Sequence, residues 1–234
     1  MRDLHMITYL KLALIFLYLV LFSFQSKATL LSFDNEADFN LAIGGMNITT
    51  IDFEGVTSGD IIADGDAIQG VTFNYDLGGI QLMVEDFAGT TSGTNYLGTD
   101  DGGLFLGGDG FDMSFSSAQM AIGMYIIGAY DEIFADDITL TVAGESVSLS
   151  TGFPIDVGDG EAFFIGLVVD NIANAFTSVS LSSASFDQLF NIDDITFAAT
   201  RQDPPNGIPE PSSLVLMLLA LMMFTYRKRK QFNL

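Results

Sequence analysis

No cysteine and no tryptophan occur in the 234 residues, and the single histidine is His5. Disulfides, thiolate or imidazole metal sites, cysteine nucleophiles and Ser-His-Asp triads are therefore excluded by inventory. Positive charge is nearly as scarce. The eight basic side chains are Arg2, Lys11, Lys27, Arg201, Arg227, Lys228, Arg229 and Lys230, so residues 28 to 200 carry none, whereas all but three of the 30 acids lie in that stretch. With a net charge of −22 and a pI near 4.1, the chain repels phosphate backbones, and nucleic acid is excluded as a partner. What is present instead is apolar: 49% hydrophobic residues and 21 phenylalanines distinguish the chain from disordered acidic tails, which are poor in aromatics. A buried core can be built.

The two ends differ from the body. Arg2 and Lys11 precede a 13-residue apolar run, Leu12 to Phe24, and Ser26-Lys27-Ala28 places small residues where a signal peptidase reads. Residues 1–28 are expected to be a secretory signal peptide; at about 1.5 Å per residue such a run covers about 20 Å, too little for a roughly 30 Å hydrocarbon core. At the other end, residues 204–234 open on Pro204-Pro205-Asn206-Gly207 and carry Pro209-Glu210-Pro211, an apolar run from Leu214 to Tyr226 and the cluster Arg227-Lys228-Arg229-Lys230. A transmembrane helix over about 212–226 is expected, its basic flank held cytoplasmic and the body outside.

That triplet, helix and basic cluster, in that order, resemble the PEP-CTERM sorting signal of Gram-negative bacteria, also catalogued as an ice-binding-protein C-terminal domain. The resemblance covers about Pro204 to Leu234 and departs from the family in its Met-rich helix and in the four residues after the basic cluster. It implies recognition of Pro209-Glu210-Pro211 by an exosortase, removal of the tail after transient residence in the inner membrane, and delivery of the body to the cell envelope or extracellular matrix.

Residues 29–203 read as one all-β domain. Asp137 to Val142, Ser146 to Ser150 and Ser178 to Ser182 alternate apolar with small polar residues, the pattern of half-buried strands. Met120 to Ile127 and Ala162 to Val169 are continuously apolar, as central strands covered on both faces are; further strands are expected at 48–53, 71–75, 80–84, 111–115 and 190–197. Only 35–43 has a helical look, with Asp34 as the expected N-cap. Strands without intervening helices predict a single antiparallel β-sandwich, jelly-roll-like.

Within that domain the acids are the candidate chemistry. In Phe190-Asn191-Ile192-Asp193-Asp194-Ile195-Thr196-Phe197 the apolar residues change parity at the Asp pair, which predicts a bulge that re-aims a carboxylate. With Asp52-Phe53-Glu54-Gly55, this segment resembles the carbohydrate-binding-module-like or discoidin-like sandwiches common in PEP-CTERM proteins. The resemblance implies that the first and last strands pair and share a calcium ion, and calcium is chemically suited to clustered carboxylates with no cation to pair with. Asp52, Glu54, Asp193 and Asp194 are the expected metal ligands. Gly107-Gly108-Asp109-Gly110-Phe111-Asp112 matches half of a calcium-binding nonapeptide once, without the stacked repeats that complete its ligands, and reads as a loop entering a strand. Asp60 to Asp66 and Asp100-Asp101 read as turns.

No catalytic residue is expected. Two carboxylates suffice for a glycoside hydrolase, but in so acidic a chain some pair always lies at the required spacing, and residues 28 to 200 offer no Trp, His or Arg to hold a sugar. Tyr75, Tyr96, Tyr125 and Tyr130 are the residues left to stack on one. The function expected is that of an exported, non-enzymatic surface or matrix protein that binds extracellular polysaccharide and is stabilised by calcium. Its rivals are a carboxylate-pair glycoside hydrolase and a purely structural or adhesive coat component, ice-associated if its threonines formed a regular array; in the sequence they occur only as scattered pairs.

Overall fold

A computed structural model describes residues 30–128, 133–184 and 189–200 of the chain, all within one compact unit that ends at Thr200. The expected leader (1–28), the expected tail with Pro209, Glu210, Pro211, Arg227, Lys228, Arg229 and Lys230, and Tyr130 lie outside the described residues. Among the described residues no helix is long and apolar enough to cross a membrane.

Two antiparallel sheets make a β-sandwich. The larger contains β1 (Leu30–Phe33), β2 (Asn47–Ile51), β3 (Ile61–Ile62), β6 (Leu82–Glu85), β7 (Tyr96–Thr99), β8 (Phe105–Leu106), β10 (Ala121–Gly128), β13 (Ile155–Asp156), β14 (Glu161–Val169) and β16 (Leu189–Ala199). Its central order is β1-β14-β10-β16-β7-β6-β3, with β2 and β8 also paired to β16. The smaller runs β12-β11-β15-β9-β5-β4, from β4 (Ala67–Ile68), β5 (Val71–Asn74), β9 (Gly110–Gln119), β11 (Ile138–Val142), β12 (Glu145–Ser148) and β15 (Phe176–Ser183). The chain crosses between sheets at β3 to β4, β5 to β6, β8 to β9, β9 to β10, β10 to β11, β12 to β13, β14 to β15 and β15 to β16.

The inward parity of both sheets forms the main core, including Phe73, Phe111, Met113, Leu140, Leu181, Ile122, Ile126, Ile165, Phe190, Ile192 and Ile195. Phe105 stacks between Phe111 and Phe190, with ring centroids 5.7 and 5.1 Å away, so one aromatic column joins the two sheets.

The outer faces differ. On the larger sheet, Ala121, Tyr125, Phe164, Val168 and Ala198 are buried a second time beneath the short helix α1 (Glu36–Ala42), whose Phe39 lies 5.3 Å from the Phe164 ring and whose C-cap Ile43 is fully buried. This second cover explains why β10 and β14 lack alternation. The helix begins one residue later than expected: Asn35, not Asp34, is the N-cap, because Asn35 holds extended φ/ψ while its carbonyl accepts from Phe39 N–H and its side chain accepts from Ala37 and Asp38 N–H.

On the smaller sheet the outward parity stays open to solvent. Its central row runs Ser146, Thr141, Ser180, Asp112, Asn74 across five strands, flanked on one side by Ser148, Thr139 and Ser182 and on the other by Ser178, Ser114 and Thr72.

Candidate functional site: an acidic clasp on the outer face of the larger sheet

The expected bulge is present. Gly123 faces Thr196 while Tyr125 faces Asp193, so β16 spends one residue more than β10 over this interval, and Asp194 takes a left-handed φ of 52°. An aspartate tolerates that conformation better than the β-branched residues around it. The bulge brings two consecutive carboxylates to one hydroxyl: Thr91 Oγ1 donates to Asp193 Oδ2 at 3.0 Å and to Asp194 Oδ2 at 2.8 Å. β2 pairs with β16 from Ile51↔Ile195 to Asn47↔Ala199, which carries Asp52 and Glu54 to the same end of the sheet. The first strand, β1, pairs with β14 and not with β16 as expected; it is β2 that pairs with β16, so Asp193, Asp194 and Glu54 hydrogen-bond one loop and Asp52 joins them through the Glu54 N–H.

That loop, Thr91-Ser92-Gly93-Thr94-Asn95, is held at every residue. Asp193 accepts from the N–H groups of Thr91 (2.8 Å), Ser92 (2.9 Å) and Asp194 (2.8 Å), and from the Ser92 hydroxyl. Glu54 Oε1 accepts from Thr94 N–H (2.7 Å) and Asn95 N–H (2.6 Å), while Asn95 Nδ2 donates back to the carbonyls of Phe53 and Val56. Between them Gly93 has no room for a side chain: a Cβ there would lie 2.1 Å from the Glu54 carboxyl carbon. Asp52 accepts from Glu54 N–H and so shapes the turn that presents Glu54.

Electrostatics follow from burial without cations. Asp193 is fully buried, and desolvation, aided by the charge of Asp194, pushes its carboxyl up to about 6 against the pull of the Ser92, Thr91 and Asp194 N–H groups. Asp194 is raised by burial too, with Glu36 and Asp52 adding repulsion and the Thr91 and Ser92 hydroxyls opposing it. Tyr125 donates to Glu36 Oε2 at 2.9 Å, and its phenol is raised by burial and by that carboxylate.

This donor set does not fit a calcium ion. The Asp193 oxygens face N–H and O–H donors, the Glu54 Oε1 lone pairs are aimed at two amides, and among the described residues no three acidic side chains are arranged to hold a metal. Nor is the pair a hydrolytic one, since Asp193 is sealed from substrate and bound to structural donors. Tyr96 and Tyr125 are both buried and cannot stack on a sugar: the Phe87 ring stands edge-on to Tyr96 at 5.9 Å, and Tyr125 lies against Phe164 with its hydroxyl bound to Glu36 of α1. Tyr75 is half-buried, its hydroxyl donating to the Ile62 carbonyl, beside an open recess of about 220 Å³ lined also by Asp64, Asp76, Leu77 and Gln81.

Sequence reasoning missed Thr91, Ser92, Asn95 and Glu36. The run Thr90-Thr91-Ser92-Gly93-Thr94-Asn95, dense in short donors around a glycine, was the available signal. The other acidic segments contain turns, as expected, although Ile61–Ile62 within the first of them form the short strand β3: Asp66 accepts from Ala63 N–H, Asp100 from Gln81 N–H, and Asp109 from Leu106 N–H at the entry to β9.

No protein-family model and no curated protein matches the chain. Among solved structures it is similar to the K2 cleaved adhesin domain of Lys-gingipain, at 14% identity and a TM-score of 0.41 over 65% of this chain and 100% of that one. A xylan-binding CBM22-1 domain from Paenibacillus barcinonensis Xyn10C is 16% identical, with a TM-score of 0.35 over 63% of this chain and 99% of that one. The mannan-recognising carbohydrate-binding module TmCBM27 is 9% identical, with a TM-score of 0.27 over 75% and 100% respectively. All three scores lie below 0.5, and the functional reading rests on the residues of this chain.

Proposed function

We propose that this chain is an exported, non-enzymatic β-sandwich of the cell envelope or extracellular matrix that binds extracellular polysaccharide. The observation that carries the reading is the use made of the acids. Among the described residues, the fully buried Asp193 and its half-buried neighbour Asp194, whose carboxyls burial raises, are committed to holding a loop, so they serve architecture and not proton transfer. Apart from scattered exposed apolar side chains, what remains for partners is hydroxyls, amides and carboxylates with no cation from 28 to 200, suited to hydroxyl-rich neutral ligands and repellent to polyanions.

Export rests on the leader at 1–28, cleaved by signal peptidase, and sorting on Pro209-Glu210-Pro211 read by an exosortase while the 212–226 helix and Arg227 to Lys230 hold the chain in the inner membrane. A glycan array probed with the purified protein, with and without chelator, tests the binding reading. Retention of neutral polysaccharides that chelator leaves unchanged is the expected result. Turnover of any glycan, released as reducing ends, would replace this reading with the hydrolase.

A further inference from the structure

The geometry points to the outward face of the smaller sheet as the polysaccharide-binding surface, fitted to the flat face of an ordered, neutral glycan and not to a single chain in a cleft. The inference rests on the proposed function and names its site. In the sequence the hydroxyl residues of this face belong to five separate segments; strand register alone aligns Ser146, Thr141, Ser180, Asp112 and Asn74 into one row. Neighbouring rows stand two residues away along each strand, so polar groups repeat at about 4.8 Å in one direction and about 6.8 Å in the other.

Three properties select the occupant. First, among the described residues none of the large exposed hydrophobic side chains (Leu31, Leu41, Phe87, Phe134, Phe153 and Ile172 are the most exposed) belongs to a strand of this sheet, so the strand rows offer nothing to an apolar protein patch. Second, the only ionised group in the three rows is Asp112, a carboxylate that repels polyanions and is a strong acceptor for hydroxyl donors. Third, every Ser and Thr hydroxyl both donates and accepts, as each sugar hydroxyl does, so the two surfaces satisfy one another in either sense. The row is also held in place: Thr141 and Ser146 hydroxyls lie 2.9 Å apart, Ser180 donates to Asp112 at 2.5 Å, and Asn74 donates to Ser114 at 3.2 Å. Side chains this short lose little rotamer freedom on binding.

Depletion of the full-length protein, purified in mild detergent, from suspension by microcrystalline cellulose tests this directly. The triple variant Thr141→Val, Ser180→Ala, Asp112→Ala removes hydrogen-bonding groups without adding bulk, and should weaken retention by about tenfold or more. Thr50→Val on the other sheet should retain parental binding. Should the triple variant fail to fold, Ser178→Ala with Ser114→Ala and Thr72→Val removes the adjacent row and should give the same loss. Parental retention by either row variant, with loss in Tyr75→Ala, would overturn the face and leave the polysaccharide reading standing. No retention of the parent by cellulose, together with an empty glycan array, would overturn both. A dimer of the parent that the triple variant abolishes, without cellulose binding, would reassign the face to a second copy of the chain.

Discussion

Thr91 donates twice to a single oxygen of Asp193, from its backbone N–H at 2.8 Å and from its hydroxyl at 3.0 Å, across 102 residues of chain. Removing the acceptor leaves the N–H groups of Thr91, Ser92 and Asp194 without their partner inside the protein. Asp193→Ala should therefore cost on the order of 3 kcal/mol of unfolding free energy, read by urea denaturation. Thr91→Val should cost about 1 kcal/mol, since the backbone donor survives. Equal, near-zero effects of both would show that the loop is not held by this acid.

The same carboxyl makes a pH prediction whose sign is opposite to that of an ion-paired aspartate. Its folded value of about 6 stands above the ordinary aspartate value of 3.8, so between those limits the folded state binds a proton that the unfolded chain does not. Stability should rise as pH falls from about 6 toward about 4, and that contribution is lost as pH rises through the folded value. Glu36, Asp52, Asp194 and Tyr125 share the neighbourhood, and other acids also lose repulsion in this window. The diagnostic quantity is thus the difference between the parent and Asp193→Asn, which should carry most of the local slope in melting curves recorded at pH 4, 5, 6 and 7.

Gly93 and Glu54 should behave as one unit. Gly93→Ala forces the Glu54 carboxylate off the Thr94 and Asn95 amides and holds an alanine at a φ of 41°, costing about 2 kcal/mol. In a Glu54→Ala background the clash is absent, and the Gly93→Ala penalty should shrink to about 1 kcal/mol. Strict additivity of the two changes would mean that they do not meet.

Calcium at about 10 mM should raise the melting temperature no more than sodium chloride of matched ionic strength, because the carboxylates of the clasp are already met by hydrogen-bond donors and only general repulsion remains to be screened. A calcium-specific increase abolished by Asp193→Asn with Asp194→Asn would restore the ion to this site.

For sorting, mass spectrometry of the mature protein from its host should find a C-terminus before Leu214. Glu210→Ala should leave Arg227 to Leu234 on the chain and the protein in the inner membrane fraction.

The parity change at Asp193-Asp194 was enough to locate the bulge, and the strict alternation of 137–142 and 178–182 located β11 and β15, because local backbone geometry is written in adjacent residues. Partnerships across a hundred residues are not written there. Nothing beside Thr91 announces Asp193, and nothing beside Tyr96 or Tyr125 announces the Phe87 ring and the helix that stand over them. β7 escaped notice because its four residues are all buried, so it has neither a polar face nor the length of a central strand. The hydroxyl rows were invisible for a related reason: each strand contributes one or two small polar residues, and only register assembles them.

β16 lies at the centre of the larger sheet and is the last strand among the described residues, pairing with β10, β2, β7 and β8. A chain made from its N-terminus delivers every other described strand before the one that joins them, so the larger sheet cannot close until residues 189–199 are available. Completion of the fold thereby waits on the end of the described body, and its central pairings are among the most distant in sequence.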